Sequence, residues 1–280
     1  MNILSIQSSV VFGHVGNSAA MLPLQRLGFE VWPINTVELS NHPAHGSFRG
    51  QASTPRAIRT LVRGLEERGV LRDCAAVLSG YLGSAANGSA VLDAVRAVKA
   101  ANSRALYCCD PVMGERGRGY YVADGIPAVF MKKALPLADI LLPNQFEIEV
   151  LAGRPCPDLE ASAVAAASLL PRGPRLVVVT GIPLGTRRIA ALAVDKNGSW
   201  VVDVPRLDLA THGAGDAFAA LFLGHYLRRP SPATALARAM SAQHTLMRAS
   251  ARQGREELAI IAAQDAILRP KTLFKAKRLR

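Results

Sequence analysis

The stretch from Thr211 to Phe218 contains the strongest candidates for catalytic residues in the chain. Gly213 and Gly215 flank one small residue and let the backbone approach a ligand closely. The apolar run that follows predicts a buried helix, whose first N–H groups and positive dipole end favour an anion. Asp216 falls in the first turn of that helix, where a carboxylate would repel a bound phosphoryl group. The position suits a base that takes a proton from an attacking hydroxyl, and a tight turn with an Asp cap is the alternative.

Polar residues also follow several predicted strands, at the points where those strands end. They are Ser8, the Ser79-Gly80-Tyr81 segment, Asp110, Asn144 and Thr180. Taken singly, each is typical of a strand-end turn or a helix cap. In a parallel sheet, however, the carboxyl ends of the strands share one edge, and ligands bind beyond it. Together these positions indicate a binding site that faces the Asp216 helix.

Alternating strands and helices must position these residues. Short apolar runs predict strands over residues 3–7, 29–34, 75–78, 105–109, 138–142 and 176–179, and a hairpin of 189–194 with 199–204 around Asn197-Gly198. Helical spacing predicts helices over 17–27, 55–69, 86–101, 146–152 and 159–170, with Asn17 or Ser18 and Thr54 as N-caps. We therefore expect one α/β domain with a mostly parallel central sheet covered by helices on both faces.

The composition is that of an ordinary globular enzyme-sized chain. Half of the 280 residues are apolar, which suffices for one large core. No apolar run approaches the roughly 20 residues of a transmembrane helix, so we expect no membrane association. The first residues lack the basic region of a signal peptide. The four cysteines have no zinc-site spacing and predict buried free thiols in a reducing, cytoplasmic setting.

The net charge of +12 suits an anionic ligand, and it raises the question of nucleic acid. Five of the basic residues lie in the last ten positions, and without them the charge falls to +7. The rest are spread along the chain without an aromatic-basic stripe or a nucleic-acid motif. We therefore expect no nucleic-acid partner, and a basic tail over residues 271–280 after a domain over residues 1–270.

Motifs along the whole chain resemble those of the pyridoxal kinases, in the ribokinase-like superfamily. They are Ile6-Gln7-Ser8, the segment from Gly13 to Ala20, Ser40-Asn41-His42, Ser79-Gly80-Tyr81, the segment from Cys109 to Gly114, the segment from Pro143 to Glu147, and Gly213-Ala214-Gly215-Asp216. The last motif is common to many ribokinase-like enzymes. The opening segments and Ser40-Asn41-His42 are more particular to pyridoxal kinases.

The resemblance implies a role for each matched position on the phosphate side. Asp216 would be the base that activates the 5′-hydroxyl of pyridoxal. The backbone N–H groups of Gly213, Ala214 and Gly215 would stabilise the transferring phosphoryl group. ATP would contact Asp110, Asn144, Glu147, Thr180, Gly213 and, by a looser match, Arg206, Leu207, Asp208 and Leu209. Asp110 and Glu147 would hold Mg²⁺, partly through water.

On the substrate side, the resemblance implies a pocket for the pyridine ring. Its residues would be Ser8, Val15, His42, Pro43, Ala44, Tyr81 and Tyr121, together with Asp216. Residues 115–122 would be a flap that closes over substrate and excludes water. The family also implies a homodimer.

Pro43-Ala44 is a departure from the family, which commonly has a threonine that helps to hold pyridoxal. Proline has neither an N–H nor a hydroxyl, so those hydrogen bonds are lost or supplied elsewhere. Two alternatives follow: a kinase for another small heteroaromatic alcohol such as hydroxymethylpyrimidine, and a weakly catalytic vitamer-binding protein. The retained acids Asp110, Glu147 and Asp216 argue against a pure binder, which has no use for a base beside an anion pocket.

Overall fold

A ten-stranded sheet forms the centre of the molecule. The computed structural model describes residues 1–209, 211–254 and 256–279. The strands are β1 Asn2–Val10, β2 Glu30–Leu39, β3 Gly50–Ala52, β4 Cys74–Ser79, β5 Leu106–Cys109, β6 Gly114–Glu115, β7 Gly119–Tyr120, β8 Ile140–Leu141, β9 Leu176–Leu184, β10 Arg188–Asp195, β11 Gly198–Pro205 and β12 Lys277–Leu279. The helices are α1 Asn17–Arg26, α2 Pro55–Glu67, α3 Ala85–Ala101, α4 Ile126–Val129, α5 Gln145–Ala152, α6 Leu159–Leu169, α7 Ala214–Arg228, α8 Pro232–Gln253 and α9 Asp265–Leu268.

The central part of the sheet is parallel and its two margins are antiparallel. The strand order is β12-β11-β10-β9-β8-β5-β4-β1-β2-β3, and β6 and β7 form a separate small hairpin. Each neighbouring pair in the series β9, β8, β5, β4, β1 and β2 is parallel. The pairs β9–β10, β10–β11 and β11–β12 at one margin, and β2–β3 at the other, are antiparallel. The predicted α/β fold with a mostly parallel sheet is confirmed.

Two apolar layers, one on each face of the sheet, hold the helices in place. Neighbouring residues of one strand alternate between them: Val177 belongs to the layer that includes side chains of α2, α3, α5 and α6, whereas Val178 belongs to the layer that includes side chains of α1, α7 and α8. Strands buried on both faces need apolar side chains at every position, and this explains the continuous apolar runs in the sequence. The N-terminus of α7 lies at the edge of the sheet where β1 has its carboxyl end, because Gly16 in the loop after β1 donates to Asp216.

The N-cap predicted for α1 is wrong, because the side chain of Asn17, the first residue of the helix, is buried and does not cap it. The helix begins after Gly16 without a side-chain cap, and Asn17 is 1% exposed. The Asn17 side chain accepts from Ser5 Oγ at 2.7 Å and donates to Asn35 Oδ1 at 2.8 Å. The cap predicted for α2 is confirmed, since Thr54 accepts from the N–H of Ala57 at 3.1 Å.

The last residues are not a free tail. Lys277–Leu279 pairs with β11 as the edge strand of the sheet, and Phe274 and Leu279 pack against the two apolar layers. The sequence predicted a solvated tail from charge alone, but a strand can keep lysine and arginine in water while its apolar residues pack inward. No helix in the described ranges is long and apolar enough to span a bilayer.

Candidate active site

The N-terminus of α7 forms an open cradle at the carboxyl edge of the sheet. Gly213 precedes the helix with φ of 77°, and a Cβ there would collide with the carbonyl oxygen of His14. At Gly215, by contrast, no described atom lies within 4 Å of the position a Cβ would take. The first N–H groups of an α-helix have no intrahelical partner, so the start of α7 can offer such groups to an anion.

Asp216 is fixed against the glycine-rich loop that follows β1. The N–H of Gly16 donates to Asp216 Oδ2 at 2.8 Å. Burial raises the pKa of this carboxyl group, and the hydrogen bond from Gly16 opposes that shift. Gly16 in turn lies against the backbone and hydroxyl of Ser8, so close that a Cβ at Gly16 would overlap them. Ser8 therefore lies beside the loop that orients Asp216, as its predicted place in the pocket requires.

A pair of buried carboxyl groups, Asp110 and Glu147, lies near Asp216. Burial raises the pKa of Asp110 well above its ordinary value, and the nearby Glu147 and Asp216 raise it further. Burial raises the pKa of Glu147 to about 8, although its oxygens accept the N–H groups of Met113 and Asn144, each at 2.9 Å. Acids buried this closely disfavour each other's charge, and a cation between them would reverse the effect.

Asn144 joins the start of α5 to the β6–β7 hairpin. Its Oδ1 accepts from the N–H groups of Phe146 and Glu147, and Glu147 completes a capping box. Its Nδ2 donates to the carbonyl oxygen of Gly114 at 2.8 Å. The hairpin occupies the region predicted as a flap, and Arg116 pairs with Glu149 at 2.7 Å. One side chain thus fixes both Glu147 and the base of the hairpin.

A cavity of about 410 Å³ opens beside the α7 cradle. Of the predicted ATP-binding residues, Thr180, Arg206, Leu207 and Leu209 line it, and so do Ala214 and Gly215; Asp208 is exposed and lies outside the lining. Sequence reasoning missed the opposite wall, which α7 and α8 supply through Phe218, Met240, Gln243, His244 and Met247. These positions carry no local signal, because apolar residues on a helix predict core packing and a single glutamine or histidine beside them does not indicate a nucleotide site.

The predicted substrate residues differ in their exposure to solvent. Ser8 is buried, and the α-carbon of Val15 lies against Gly213. Tyr81 is half-buried, which raises the pKa of its phenol. Tyr121 is 41% exposed, yet partial burial and the carboxylates of Glu147 and Asp110 raise the pKa of its phenol.

His42 stacks on His212, with ring centroids 3.9 Å apart. Partial burial lowers the pKa of His42 to about 4, and His212 and His45 add to the shift. Pro43 and Ala44 are exposed and begin a short turn, in which the N–H of Ala44 donates to His42 Nδ1 at 3.2 Å. His42 thus caps the turn, while the two departing residues lie at its outer side.

Comparison with known proteins identifies relatives over the full length. The family model described as phosphomethylpyrimidine kinase matches residues 67–260. The pyridoxal kinase PdxY of Rubrobacter xylanophilus is 46% identical over 283 residues, covering 100% of this chain and 98% of the relative. The pyridoxal kinase PdxY of Deinococcus radiodurans is 48% identical over 288 residues, covering 99% and 96%.

Solved structures agree with these relatives. The pyridoxal kinase of Leishmania donovani in complex with ADP and pyridoxamine has a TM-score of 0.93 at 29% identity, covering 100% of this chain and 99% of that one. The same enzyme with ADP and pyridoxine has a TM-score of 0.94 at 29% identity, with the same coverage.

Proposed function

The chain belongs to the pyridoxal kinase family, and from that premise we propose that it transfers the γ-phosphoryl group of ATP to the 5′-hydroxyl of pyridoxal. The products are pyridoxal 5′-phosphate and ADP, as in salvage of vitamin B6. One observation carries the proposal: Asp216, oriented by the N–H of Gly16, lies in the first turn of α7 beside the open cradle. A base is thereby placed next to an anion site.

The donor occupies the cavity between β9–β11, α7 and α8. Its apolar wall accepts the adenine, and Thr180 and Arg206 line the same space. The triphosphate then reaches the α7 cradle, where the N–H groups of residues 213–215 receive the transferring phosphoryl group. The N-terminal dipole of a 15-residue helix adds to the attraction for that charge.

The acceptor lies on the Ser8, Tyr81 and His42 side of Asp216. Its 5′-hydroxyl gives its proton to the Asp216 carboxylate while the oxygen forms a bond to the γ-phosphorus. The bond from that phosphorus to the ADP oxygen breaks, and ADP leaves with the electron pair. Burial raises the pKa of Asp216, and a raised pKa makes the carboxylate a stronger base.

The Asp110–Glu147 pair fits Mg²⁺. Carboxylate oxygens are ligands that this hard ion prefers, and no hydrogen bond to the Asp110 side chain is found within the described ranges. Both Glu147 oxygens already accept a backbone N–H, which suits contact with the ion through water. Mg²⁺ bound here would neutralise negative charge on the phosphates of ATP.

A coupled assay of ADP release tests the proposal with pyridoxal, pyridoxine and pyridoxamine at saturating Mg–ATP. We expect turnover with pyridoxal that depends on both substrates. Absence of turnover with all three vitamers would refute it. Tight binding of pyridoxal without ATP turnover would favour the vitamer-binding protein instead.

A second acceptor is suggested by two observations. The matching family model is described as phosphomethylpyrimidine kinase, and neither Pro43 nor Ala44 has a side-chain hydroxyl where the family commonly has a threonine. Hydroxymethylpyrimidine is therefore the competing substrate. The ratio of kcat/KM for pyridoxal and hydroxymethylpyrimidine decides between them, because it measures differential transition-state binding.

We also propose a homodimer in the cytoplasm. Family membership supports the dimer, and light scattering of the purified protein tests it. The four cysteines are free and buried, which suits a reducing compartment.

A further inference from the structure

A cluster of His45, His212 and Glu256 lies beside the substrate side of the site, outside the groups that the reaction uses. One ligand atom from each residue can be chosen so that all lie within 4.8 Å of one another. The Nε2 atoms of His45 and His212 are each 4.0 Å from the same oxygen, Glu256 Oε2. We refer to these three residues as the His–His–Glu cluster.

The backbone brings the cluster together from three distant segments. His45 belongs to the β2–β3 loop, His212 directly precedes Gly213, and Glu256 follows α8. The N–H of His212 donates to the carbonyl oxygen of Glu256 at 3.2 Å. The rings of His45 and His212 lie edge to face, with centroids 5.5 Å apart. Both imidazole side chains are 20% exposed, so they are oriented by packing while solvent still reaches them.

Glu257 adds a second carboxylate beside the same cluster. Its Oε2 accepts the N–H of His14 at 2.9 Å. Its Oε1 lies 3.1 Å from His45 Nε2, yet this buried oxygen accepts no well-formed hydrogen bond from the described residues. A buried carboxylate oxygen without a hydrogen bond is costly, and a cation beside it would offset that cost.

We propose that His45, His212 and Glu256 bind a divalent transition-metal ion, with Zn²⁺ as the best match, and that Glu257 supplies additional negative charge. Two imidazole nitrogens and one carboxylate oxygen are a ligand set that zinc accepts, with a fourth position open to water. This set differs in kind from Asp110 and Glu147, whose oxygens favour a hard ion.

Only small movements are needed to close the ligands around the ion. Bonds of about 2.0–2.2 Å to zinc require ligand atoms that lie up to 4.8 Å apart to move closer together. The Glu256 side chain is 68% exposed and is free to swing toward both rings. The ion would then join the β2–β3 loop to the residue before α7, and so fix the substrate side of the pocket to the phosphate cradle.

Zinc titration of the metal-free protein tests the site without any use of kinase activity. Isothermal calorimetry is performed in excess Mg²⁺, which occupies the Asp110–Glu147 pair, with nucleotide absent. We expect one Zn²⁺ per chain and a rise in the melting temperature. The Glu256→Gln variant should bind at least about tenfold more weakly, since even loss of an outer-shell partner weakens metal sites by about 10–100-fold.

A matched control is Glu66→Gln, an exposed glutamate on α2 that should leave zinc affinity unchanged. His45→Gln provides a second ligand variant and should weaken binding as Glu256→Gln does. The proposal is overturned if wild type shows no saturable zinc binding, or if both ligand variants bind zinc like wild type. Because the readout is binding and melting temperature, failure here leaves the proposed phosphotransfer unaffected.

Discussion

Asp216 combines two features that a general base requires, a fixed orientation and a raised pKa. The hydrogen bond from the N–H of Gly16, 200 residues earlier in the chain, orients the carboxylate toward the pocket. Burial raises its pKa, so the proton it takes is held more firmly than by an exposed aspartate. The alternative of an Asp that merely caps a turn does not explain this contact.

We predict that Asp216→Asn lowers kcat by about 10²–10⁴-fold, the usual contribution of general acid–base catalysis. The amide is similar in shape but cannot take the proton. Steady-state kinetics and ATP binding by calorimetry would measure the effect, and nucleotide affinity should stay near that of wild type. Asp73→Asn, an exposed aspartate at the opposite edge of the sheet, is the control. An unchanged kcat in Asp216→Asn would exclude the base role.

The raised pKa of Glu147 leads to a second prediction, which concerns how the free energy of unfolding changes with pH. Its pKa is about 8 in the folded protein, against an ordinary value of 4.5. Between these values the folded protein holds a proton that the unfolded chain has lost, so this group's contribution to stability falls as pH rises. In metal-free protein, the difference in unfolding free energy between wild type and Glu147→Gln should therefore decline from about pH 5 to about pH 8.

Chemical denaturation at several pH values measures that difference. Mg²⁺ competes with the proton, so added Mg²⁺ should stabilise wild type more at high pH than at low pH. A difference that grows with rising pH would contradict the raised pKa of Glu147. The carboxylate of Asp216 also raises the pKa of Glu147, so Asp216→Asn should lower that pKa because a neighbouring charge is removed.

At the scale of elements, the start of α5 does more than begin a helix. Asn144 caps α5 and also donates to Gly114 of the β6–β7 hairpin. The hairpin carries Tyr120, whose ring packs edge-on against Phe146 of α5. These contacts hold the carboxyl group of Glu147 and the hairpin in fixed positions relative to each other, next to the carboxyl end of β8.

We predict that Asn144→Ala and Thr54→Ala each lower the unfolding free energy by about 1 kcal/mol, the usual value of a lost N-cap. Only Asn144→Ala should also raise the KM for Mg–ATP, because only that cap positions Glu147 and the hairpin. Thr54 caps α2, which lies away from the site, and so provides the matched control. Equal KM values for the two variants would show that the Asn144 cap has no role beyond stability.

At the scale of the whole molecule, the sheet continues to the end of the described chain. Lys277–Leu279 pairs with β11, and Arg278 donates to the carbonyl oxygen of Asn197 at 2.8 Å. This strand closes an edge that β11 would otherwise expose. The proposed substrate residues Ser8, His42 and Tyr81 lie on or just after β1, β2 and β4, which are far from that edge in the strand order.

We predict that truncation after Ala276 lowers the unfolding free energy by about 1–3 kcal/mol, the value of a few net backbone hydrogen bonds. The kcat of the remaining folded protein should be unchanged at low temperature. The double variant Lys271→Gln and Lys275→Gln removes charge from the same segment without removing the strand, and it should melt like wild type. Equal melting temperatures for the truncated and intact chains would contradict a stabilising role for β12.

The order of strands and helices, and the edge of the sheet at which the candidate site lies, could be predicted from the sequence. Apolar runs and helical spacing are local signals, and a parallel sheet necessarily brings the ends of its strands to one edge. For this reason, the sequence alone predicts that Asp110, Asn144 and Thr180 lie near the α7 cradle. Each lies directly after an apolar strand run, and Asn144 also begins the next helix.

Contacts between segments far apart in the chain could not be predicted from the sequence. The N–H of Gly16 reaches Asp216, Glu257 reaches His14, and β12 joins the sheet, over sequence separations that leave no local pattern. The local sequence predicts Asn17 as an N-cap because asparagine favours helix starts. In the fold, its side chain instead forms hydrogen bonds with Ser5 and Asn35 in a buried polar network. The physical reason is common to all of these: local preferences fix the elements, whereas packing brings distant polar groups together.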